Sequence, residues 1–306
     1  MVESLPVLAA LGVPAVLGAL ALAAGSFSAA LTARAAGTSV APALADPVRE
    51  GARLLLQQPR RVPGADLLLS RAGLLGLLAA AGLAGLVVPV GGHVVSDSSI
   101  GIVWFNAADI VVWVAFWCIG WGSNSSWGLV GGYRLLAQGL AYELPHMFAL
   151  VSVAVGARSL RVGDVVATQS GLWFVVWMPV AFAAYLLAVL GFSTAGPFSA
   201  PVGADVAGGL GAELAGVDRA LLETGRYSML AVGAAAAVPL FLGGGAGPLL
   251  PGWAWWLVKT LLVLGGLVAA RSVGPAVRAP RFTEQAWLWW LPATVLQTLV
   301  VAVVVL

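Results

Sequence analysis

Long apolar stretches separated by short polar segments dominate the chain. Windows of about 18 to 25 apolar residues are typical of helices that cross a membrane. Such windows lie at residues 5–31, 72–92, 99–121, 133–157, 170–191, 227–243, 254–270 and 286–305. The pattern predicts an all-α, polytopic membrane protein with about eight transmembrane helices. We expect residues 1–306 to form a single integral-membrane domain.

Arginines are distributed unevenly among the segments that connect these windows. The first, third, fifth and seventh connections carry or border Arg34, Arg49, Arg53, Arg60, Arg61, Arg71, Arg134, Arg219, Arg226, Arg271, Arg278 and Arg281. The other connections carry only Arg158 and Arg161. Because positive charge is enriched in cytoplasmic loops, the distribution predicts that both termini face outward. The long first and fifth loops would then be cytoplasmic.

Composition excludes several classes of protein. With 60% hydrophobic and only 9% charged residues, the chain is not an ordinary water-soluble domain. The net charge of +2 is spread over several loops, which argues against a nucleic-acid partner. One cysteine, Cys118, and two histidines, His93 and His146, are too few for a disulfide framework or a metal site built from these residues. We therefore predict no metal and no prosthetic group in this chain, with any redox cofactor held by another subunit.

The fourth window contains a dense group of polar side chains. Arg134, Gln138 and Tyr142 are four residues apart and so form one stripe along a helix. Glu143 is about half a turn out of phase with Arg134, so it requires a partner on another helix or in a wet cavity. Pro145 lacks an amide hydrogen and would loosen the helix beside this carboxylate. An ionisable residue inside a span costs about 2.5–3.5 kcal/mol and usually has a function.

Three further ionisable residues lie inside apolar windows. His146 follows Glu143 by three residues, so it lies near the same face and is placed to share its proton. Asp109 lies deep in the third window and is a second candidate for a proton relay. Lys259 lies near one end of the seventh window, where its long side chain is expected to reach the membrane interface. The alternative for Glu143 is a carboxylate that is hydrogen-bonded for packing alone.

The fifth loop, residues 192–226, is one of the two long connections, and its first part shows no helical period. From residue 210 onward, the spacing predicts an amphipathic helix. Its apolar stripe would consist of Leu210, Leu214, Val217 and Leu221, and its polar face of Arg219, Glu223 and Arg226. This helix would lie at the membrane surface or line the entrance of a cavity, or it would be a solvated surface helix.

The first loop contains a second amphipathic segment. The run from Leu44 to Leu56 places Arg49 and Arg53 on a basic face. This arrangement suits either anchoring at lipid headgroups or docking of a soluble subunit.

A series of short motifs resembles the H-subunit family of respiratory NADH:quinone oxidoreductase, called subunit 1 in mitochondrial complex I. The segment from Trp121 to Pro145 is similar to the family's Asn-Ser, Tyr-Arg, Gln and Tyr-Glu segment. Three further motifs follow in the family's order. Pro197-Phe198 with Pro201 is similar to the family's Pro-Phe-Asp-Leu-Pro, and Glu213-Leu214-Ala215-Gly216 is similar to its Glu-Leu-Val-Ala-Gly. Tyr227-Ser228-Met229 is similar to its Tyr-Ser-Gly-Met. The series covers nearly the whole chain, and its order is more specific than any one motif.

The resemblance implies a function and a set of site residues. The chain would be a subunit without a redox centre in a proton-translocating NADH:quinone oxidoreductase, with quinone as the substrate. Its cytoplasmic loops would help to form a quinone chamber, and Glu143, Glu213 and Glu223 would be the carboxylates that couple quinone reduction to proton transfer. The residues that shape the chamber and its docking face would be Arg49, Arg53, Arg134, Gln138, Tyr142, Arg226 and Arg281.

The resemblance also implies partners and a location. Other membrane subunits and peripheral iron–sulfur subunits would surround the chain in the cell (inner) membrane. Membrane-anchor subunits of energy-converting and formate-linked hydrogenases have a similar fold, so such an assembly is the first alternative. A stand-alone ion transporter is the second, although the two halves of the sequence do not show the internal repeat expected of one. The quinone species and the electron donor stay open.

Overall fold

The computed structural model describes residues 2–60, 62–203, 208–270 and 277–305. Helices make up nearly all of its regular structure, which confirms the predicted all-α class. Arg61 and Arg271 lie outside the described residues. The helices are α1 Val13–Ala35, α2 Val40–Ala43, α3 Asp46–Leu56, α4 Leu67–Gly85, α5 Gly101–Gly122, α6 Ser126–Ala157, α7 Val162–Thr168, α8 Phe174–Trp177, α9 Pro179–Phe192, α10 Gly216–Phe241, α11 Gly252–Ala270, α12 Ala279–Gln285 and α13 Leu291–Val305.

Shorter regular segments complete the described fold. Two strands, β1 Glu3–Ser4 and β2 His93–Val94, pair in parallel and tie the residues before α1 to the connection between α4 and α5. A π-helix, Ala286–Trp290, joins α12 to α13. Turns of 3-10 helix occur at Val7–Gly12, Gly196–Phe198, Ala200–Val202 and Leu210–Ala212.

Several helices are suited to a membrane. Among the described residues, the six helical stretches long and apolar enough to span one are Val7–Ala35, Leu67–Gly85, Gly101–Gly122, Ser126–Ala157, Gly252–Ala270 and Pro280–Val305. The chain is therefore a multi-pass membrane protein. Helix α9 is apolar but shorter, and the 26 residues of α10 begin with charged turns before they become apolar. The number eight and the outward orientation of the termini stay predictions.

The helices that correspond to the fourth and fifth windows differ from the predicted ones. Helix α6 begins seven residues earlier than predicted because the Ser125 side chain accepts a hydrogen bond from the Trp127 amide at 3.3 Å and caps the helix. It continues as a helix through Pro145. The fifth window is not one helix, because Pro179 restricts the residue before it and separates α8 from α9.

The predicted start of the amphipathic helix in the fifth loop is wrong. Helix α10 begins at Gly216 and runs without a break into the sixth window. Gly216 has a φ of +61°, a left-handed conformation that suits glycine and turns the chain into the helix. Leu210 lies in an isolated 3-10 turn, and Val217 is exposed, so the predicted apolar stripe does not form. In the first loop, by contrast, α3 confirms the predicted helical segment.

Small residues bring the central helices close together. A Cβ atom on Gly73 of α4 would lie only 2.5 Å from the Ala115 carbonyl oxygen of α5. A Cβ atom on Gly139 of α6 would lie 2.5 Å from the Trp113 ring of α5. Such close packing of backbones is typical of membrane helices. It fixes the polar faces of α5 and α6 against each other.

Candidate functional site

Four polar side chains meet between α5 and α6, and we call them the buried cluster: Asn106, Asp109, Glu143 and His146. A spacing of three residues places Asn106 with Asp109 on one face of α5, and Glu143 with His146 on one face of α6. Asp109 is 1% exposed, Glu143 9% and His146 0%. Ligand-type atoms of Asp109, Glu143 and His146 all lie within 4.8 Å of one another. Groups this close can pass a proton between them or share a cation.

The contacts within the buried cluster are few. Asn106 Nδ2 donates to Glu143 Oε1 at 3.0 Å, so the glutamate finds its partner on another helix, as expected. His146 Nδ1 lies 3.5 Å from Asp109 Oδ2, which is wide for a hydrogen bond. Glu143 Oε2, Asp109 Oδ2 and both His146 nitrogens lack a hydrogen-bond partner among the described residues. Because unpaired charge is costly in such surroundings, the arrangement favours shared protons over several separate charges.

Tyr142 lies at the rim of the buried cluster. Its hydroxyl donates to Asp109 Oδ1 at 3.4 Å and accepts from Trp113 Nε1 at 3.1 Å. Aromatic rings surround His146 on the other side of the buried cluster. The ring centroids of Tyr185 and Phe105 lie 5.6 and 6.5 Å from the centroid of the His146 ring. Tyr142 therefore orients the aspartate within an apolar surrounding.

The other two members of the predicted stripe on α6 bind backbone carbonyls. Gln138 Nε2 donates to the Gly191 carbonyl at 2.8 Å, at the end of α9. Arg134 Nη1 donates to the Gly208 carbonyl at 2.6 Å, in the fifth loop. Both side chains thus fasten α9 and the fifth loop to α6.

A cavity of about 600 Å³ lies between α1, α3 and α10, and we call it the α1–α10 cavity. This volume is in the range of sites for small organic molecules. The wall from α1 is made of small and apolar residues, including Gly18 and Leu22. The polar side of the wall comes from α3 and α10 and consists of Asp46, Glu50, Arg219, Glu223, Thr224 and Tyr227. Among the predicted site residues, Glu223 lines this cavity.

Arginines pair with two of the acids in this wall. Arg226 Nη1 donates to both carboxylate oxygens of Glu223, at 3.1 and 2.9 Å. Arg53 donates two hydrogen bonds of 2.6 Å to Glu50. The hydrogen bond from Arg53 lowers the pKa of the Glu50 carboxyl below its ordinary value, because it favours the ionised form. The wall therefore carries compensated charge.

The remaining predicted residues lie at the loops. Glu213 Oε1 accepts from Ser125 Oγ at 2.6 Å and so fastens the fifth loop to the start of α6. Arg49 bonds the Pro42 carbonyl and the Asp46 carboxylate on an exposed surface. Arg281 of α12 is exposed. The predicted site residues therefore lie in four different places: the buried cluster, the cavity wall, the contacts between α6 and the fifth loop, and the exposed surface.

Sequence reasoning did not identify Asn106 or Tyr227 as site residues. The spacing between Asn106 and Asp109 was a usable signal for the first of them. Lys259 is buried, and Nζ donates to the carbonyls of Leu242, Gly244 and Ala246 at 2.7, 3.0 and 2.8 Å. These carbonyls belong to the segment that follows α10, and the ammonium group satisfies them. That this end of the seventh window lies at the membrane interface stays a prediction.

The known proteins to which this chain is similar include subunits of one kind of enzyme complex. A family model described as NADH dehydrogenase matches residues 4–302. The H subunit of NADH-quinone oxidoreductase from Carboxydothermus hydrogenoformans is 32% identical over 215 residues, which are 68% of this chain and 61% of the relative. The second H subunit of NADH-quinone oxidoreductase from Geobacter sulfurreducens is 33% identical over 207 residues, 67% and 63% of the two chains.

A third relative is covered more fully. The second H subunit of NADH-quinone oxidoreductase from Rhodopseudomonas palustris is 32% identical over 263 residues, which are 84% of this chain and 82% of the relative. The chain spans less than two thirds of the length of the other two relatives.

Proposed function

Because the chain belongs to the NADH dehydrogenase family, we propose that it is a membrane subunit of a proton-translocating NADH:quinone oxidoreductase. In this role it provides part of a quinone chamber and the first groups of a proton path. The relatives named as H subunits of NADH-quinone oxidoreductase support the assignment.

The α1–α10 cavity is the observation that carries the proposal. An apolar wall on α1 suits the hydrocarbon part of a quinone, while the polar wall on α3 and α10 suits its oxygen atoms. A quinone carbonyl oxygen accepts hydrogen bonds, and the Tyr227 hydroxyl and the Arg219 guanidinium are donors in this wall. The quinone accepts two electrons from a redox centre in a partner subunit and two protons, and becomes the quinol.

Proton transfer is the proposed role of the buried cluster. Glu143 and Asp109 accept and release protons, and His146 lies close enough to both to act as the third group. Glu213 and Glu223 were predicted to belong to the same coupling path. In the structure, Glu223 faces the cavity, and Glu213 in the fifth loop accepts a hydrogen bond from Ser125 at the start of α6. We propose that these two act on the side of the quinone.

The proposed partners are the other membrane subunits and peripheral iron–sulfur subunits of the complex, in the inner cell membrane. The exposed arginines Arg49, Arg53 and Arg281 suit a docking face for such a subunit. Purification of the tagged chain under mild conditions tests this assembly. Recovery of iron–sulfur and other membrane subunits is expected, and recovery of the chain alone would indicate a stand-alone transporter.

Photolabelling tests the quinone site directly. The purified complex is illuminated with an azido-quinone, and the labelled peptides are identified by mass spectrometry. We expect label in the peptides of α1, α3 and α10, and we expect excess unmodified quinone to remove it. Label that lies elsewhere in the chain, or that resists competition, would contradict the proposed site.

A further inference from the structure

Arg226 links the α1–α10 cavity to the corner at which α9 ends. Its Nη1 atom holds Glu223 in the cavity wall. Its Nε atom donates to Thr194 Oγ1 at 2.6 Å, and its Nη2 atom donates to the Thr194 carbonyl at 2.6 Å. The guanidinium group is buried, so these bonds form in surroundings where a lost partner is costly.

The corner that Arg226 holds has a strained backbone. Thr194 has a φ of +49°, in the left-handed region that a β-branched residue rarely adopts. It is fully buried, and its amide donates to the Gly191 carbonyl at 3.0 Å. A residue keeps such a conformation only when surrounding bonds hold it. The Thr194 hydroxyl donates to the Ser193 carbonyl at 2.8 Å, and the Ala195 amide donates to the Leu190 carbonyl at 2.9 Å. The two bonds from Arg226 add to this restraint.

The same corner is packed against the buried cluster. Gly191 lies three residues before Thr194, and its carbonyl also accepts the hydrogen bond from Gln138. A Cβ atom at Gly191 would lie 2.5 Å from the Tyr142 ring, so the backbone of the corner touches that ring. The Tyr142 hydroxyl in turn donates to Asp109. A shift of the corner therefore changes the position of a hydrogen-bond donor to the buried cluster.

We propose that Arg226 is a positioning residue that couples the α1–α10 cavity to the buried cluster through the Thr194 corner. Reduction of the quinone gives a quinol hydroxyl that can donate to the Glu223 carboxylate and so competes with Arg226 for it. The weakened pairing with Glu223 then changes the hydrogen bonds from Arg226 to Thr194. The strained corner then relaxes and carries Gly191 and the Tyr142 ring with it. This inference rests on the proposed function, because it requires quinone in the cavity and proton transfer at the cluster.

The Thr194→Ala variant tests this link in the assembled complex, reconstituted into phospholipid vesicles. Protons translocated per quinone reduced are measured with a short-chain ubiquinone. Loss of a hydrogen bond to a charged donor shifts the corner's equilibrium about tenfold or more, so we expect the proton-to-quinone ratio to fall to about half or less. Thr194→Ser keeps the hydroxyl and should restore the ratio.

A matched control comes from the same end of α10. Asp218→Asn removes the ion pair of 3.3 Å between Arg71 and Asp218, which lies on another face of the helix. We expect this variant to keep the wild-type proton-to-quinone ratio. A purely structural role for Thr194 would lower the amount of complex and both rates together, with an unchanged ratio, and that result would overturn the proposal.

Hydrogen exchange gives a second measurement that does not depend on turnover. In Thr194→Ala, amides of residues 190–200 should exchange about tenfold faster than in the wild type, and unchanged exchange would contradict the restraint. If that variant does not assemble, Thr194→Asn serves, because asparagine tolerates left-handed φ and lacks the hydroxyl.

Glu143→Gln separates the proposed link through Thr194 from the proposed proton path. Loss of pumping in Glu143→Gln with an unchanged ratio in the Thr194 variants rejects the link alone, whereas unchanged pumping in both also rejects the proposed proton path.

Discussion

The buried cluster and the wall of the α1–α10 cavity both contain carboxylates, but their partners differ. In the wall, Glu50 and Glu223 each receive two hydrogen bonds from an arginine. In the cluster, Glu143 is bonded by the neutral Asn106, and Asp109 by the neutral Tyr142. An arginine partner favours the ionised carboxylate, whereas neutral partners leave both protonation states accessible. The type of partner, more than the type of residue, therefore separates fixed charge from groups that can carry protons.

The largest expected effect follows from Glu143→Gln. The amide keeps the shape of the side chain but cannot take up and release a proton. We expect proton translocation by the assembled complex in vesicles to fall about a hundredfold, as for loss of an acid–base group. The amount of complex should stay unchanged. Asp218→Asn is the control, because Asp218 pairs with Arg71 outside the buried cluster and the cavity wall, and it should translocate protons normally. A wild-type rate in Glu143→Gln would remove this residue from the path.

The next effect concerns the cavity. Gly18→Trp places a large ring in the α1–α10 cavity, so we expect the rate of quinone reduction to fall about tenfold because the site is filled. Protons translocated per quinone reduced should not change. Gly18→Ala is the matched control, because a Cβ atom there meets nothing within 4 Å. A full rate of quinone reduction in Gly18→Trp would place the quinone elsewhere.

A smaller effect is expected from Gly191→Ala, on the cluster side. The added Cβ atom would lie 2.5 Å from Tyr142 Cδ1, and overpacking of this kind costs about 1–3 kcal/mol. We expect a lower midpoint of thermal unfolding for the purified complex. Gly82→Ala provides the comparison, because its Cβ atom would meet nothing within 4 Å and should leave the midpoint unchanged or slightly raised. Equal midpoints in the two variants would contradict the close contact.

The smallest effect is the pH dependence of the Glu50–Arg53 pair in the wall. Because Arg53 lowers the pKa of Glu50, the pair stabilises α3 above the ordinary carboxyl pKa, and this stabilisation is lost as the pH falls through the lowered value. The side chains of Glu50 and Arg53 are 51% and 58% exposed, so solvent screens the pair and its contribution to stability is small. The protection factors of the amides of residues 46–56, which are corrected for the intrinsic exchange rate at each pH, should therefore fall slightly between pH 7 and pH 3. The fall should be smaller in Glu50→Gln, and an equal fall in both would exclude the pair as its cause.

The sequence predicted the composition of the cluster better than its geometry. Asp109, Glu143 and His146 were candidates because ionisable side chains in apolar windows must find partners. That Asp109 faces His146 depends on how α5 and α6 approach each other, which small residues such as Gly139 determine through contacts distant in sequence. Asn106 was missed because a single amide in an apolar window carries little signal unless its helix neighbour is known.

The cavity and the buried lysine could not be predicted from local patterns. The cavity wall combines Gly18, Glu50 and Glu223, which come from three helices far apart in the sequence. Lys259 has the spacing and length of an interfacial lysine, but carbonyls from the segment after α10 converge on it. The predicted stripe of the fifth loop failed because periodicity did not show where Gly216 turns the chain.

The continuity of α10 has a consequence for how this chain can vary. Its 26 residues form one rod about 39 Å long, with the cavity acid Glu223 near one end and the carbonyls that bind Lys259 just beyond the other. Inserting or deleting one residue after Arg226 would rotate the rest of the helix by about 100° and turn its alanine-rich packing face away from its neighbours. Length changes should therefore be tolerated between the Thr194 corner and Gly216 but excluded from α10. The number of residues in α10 is as constrained as their identity.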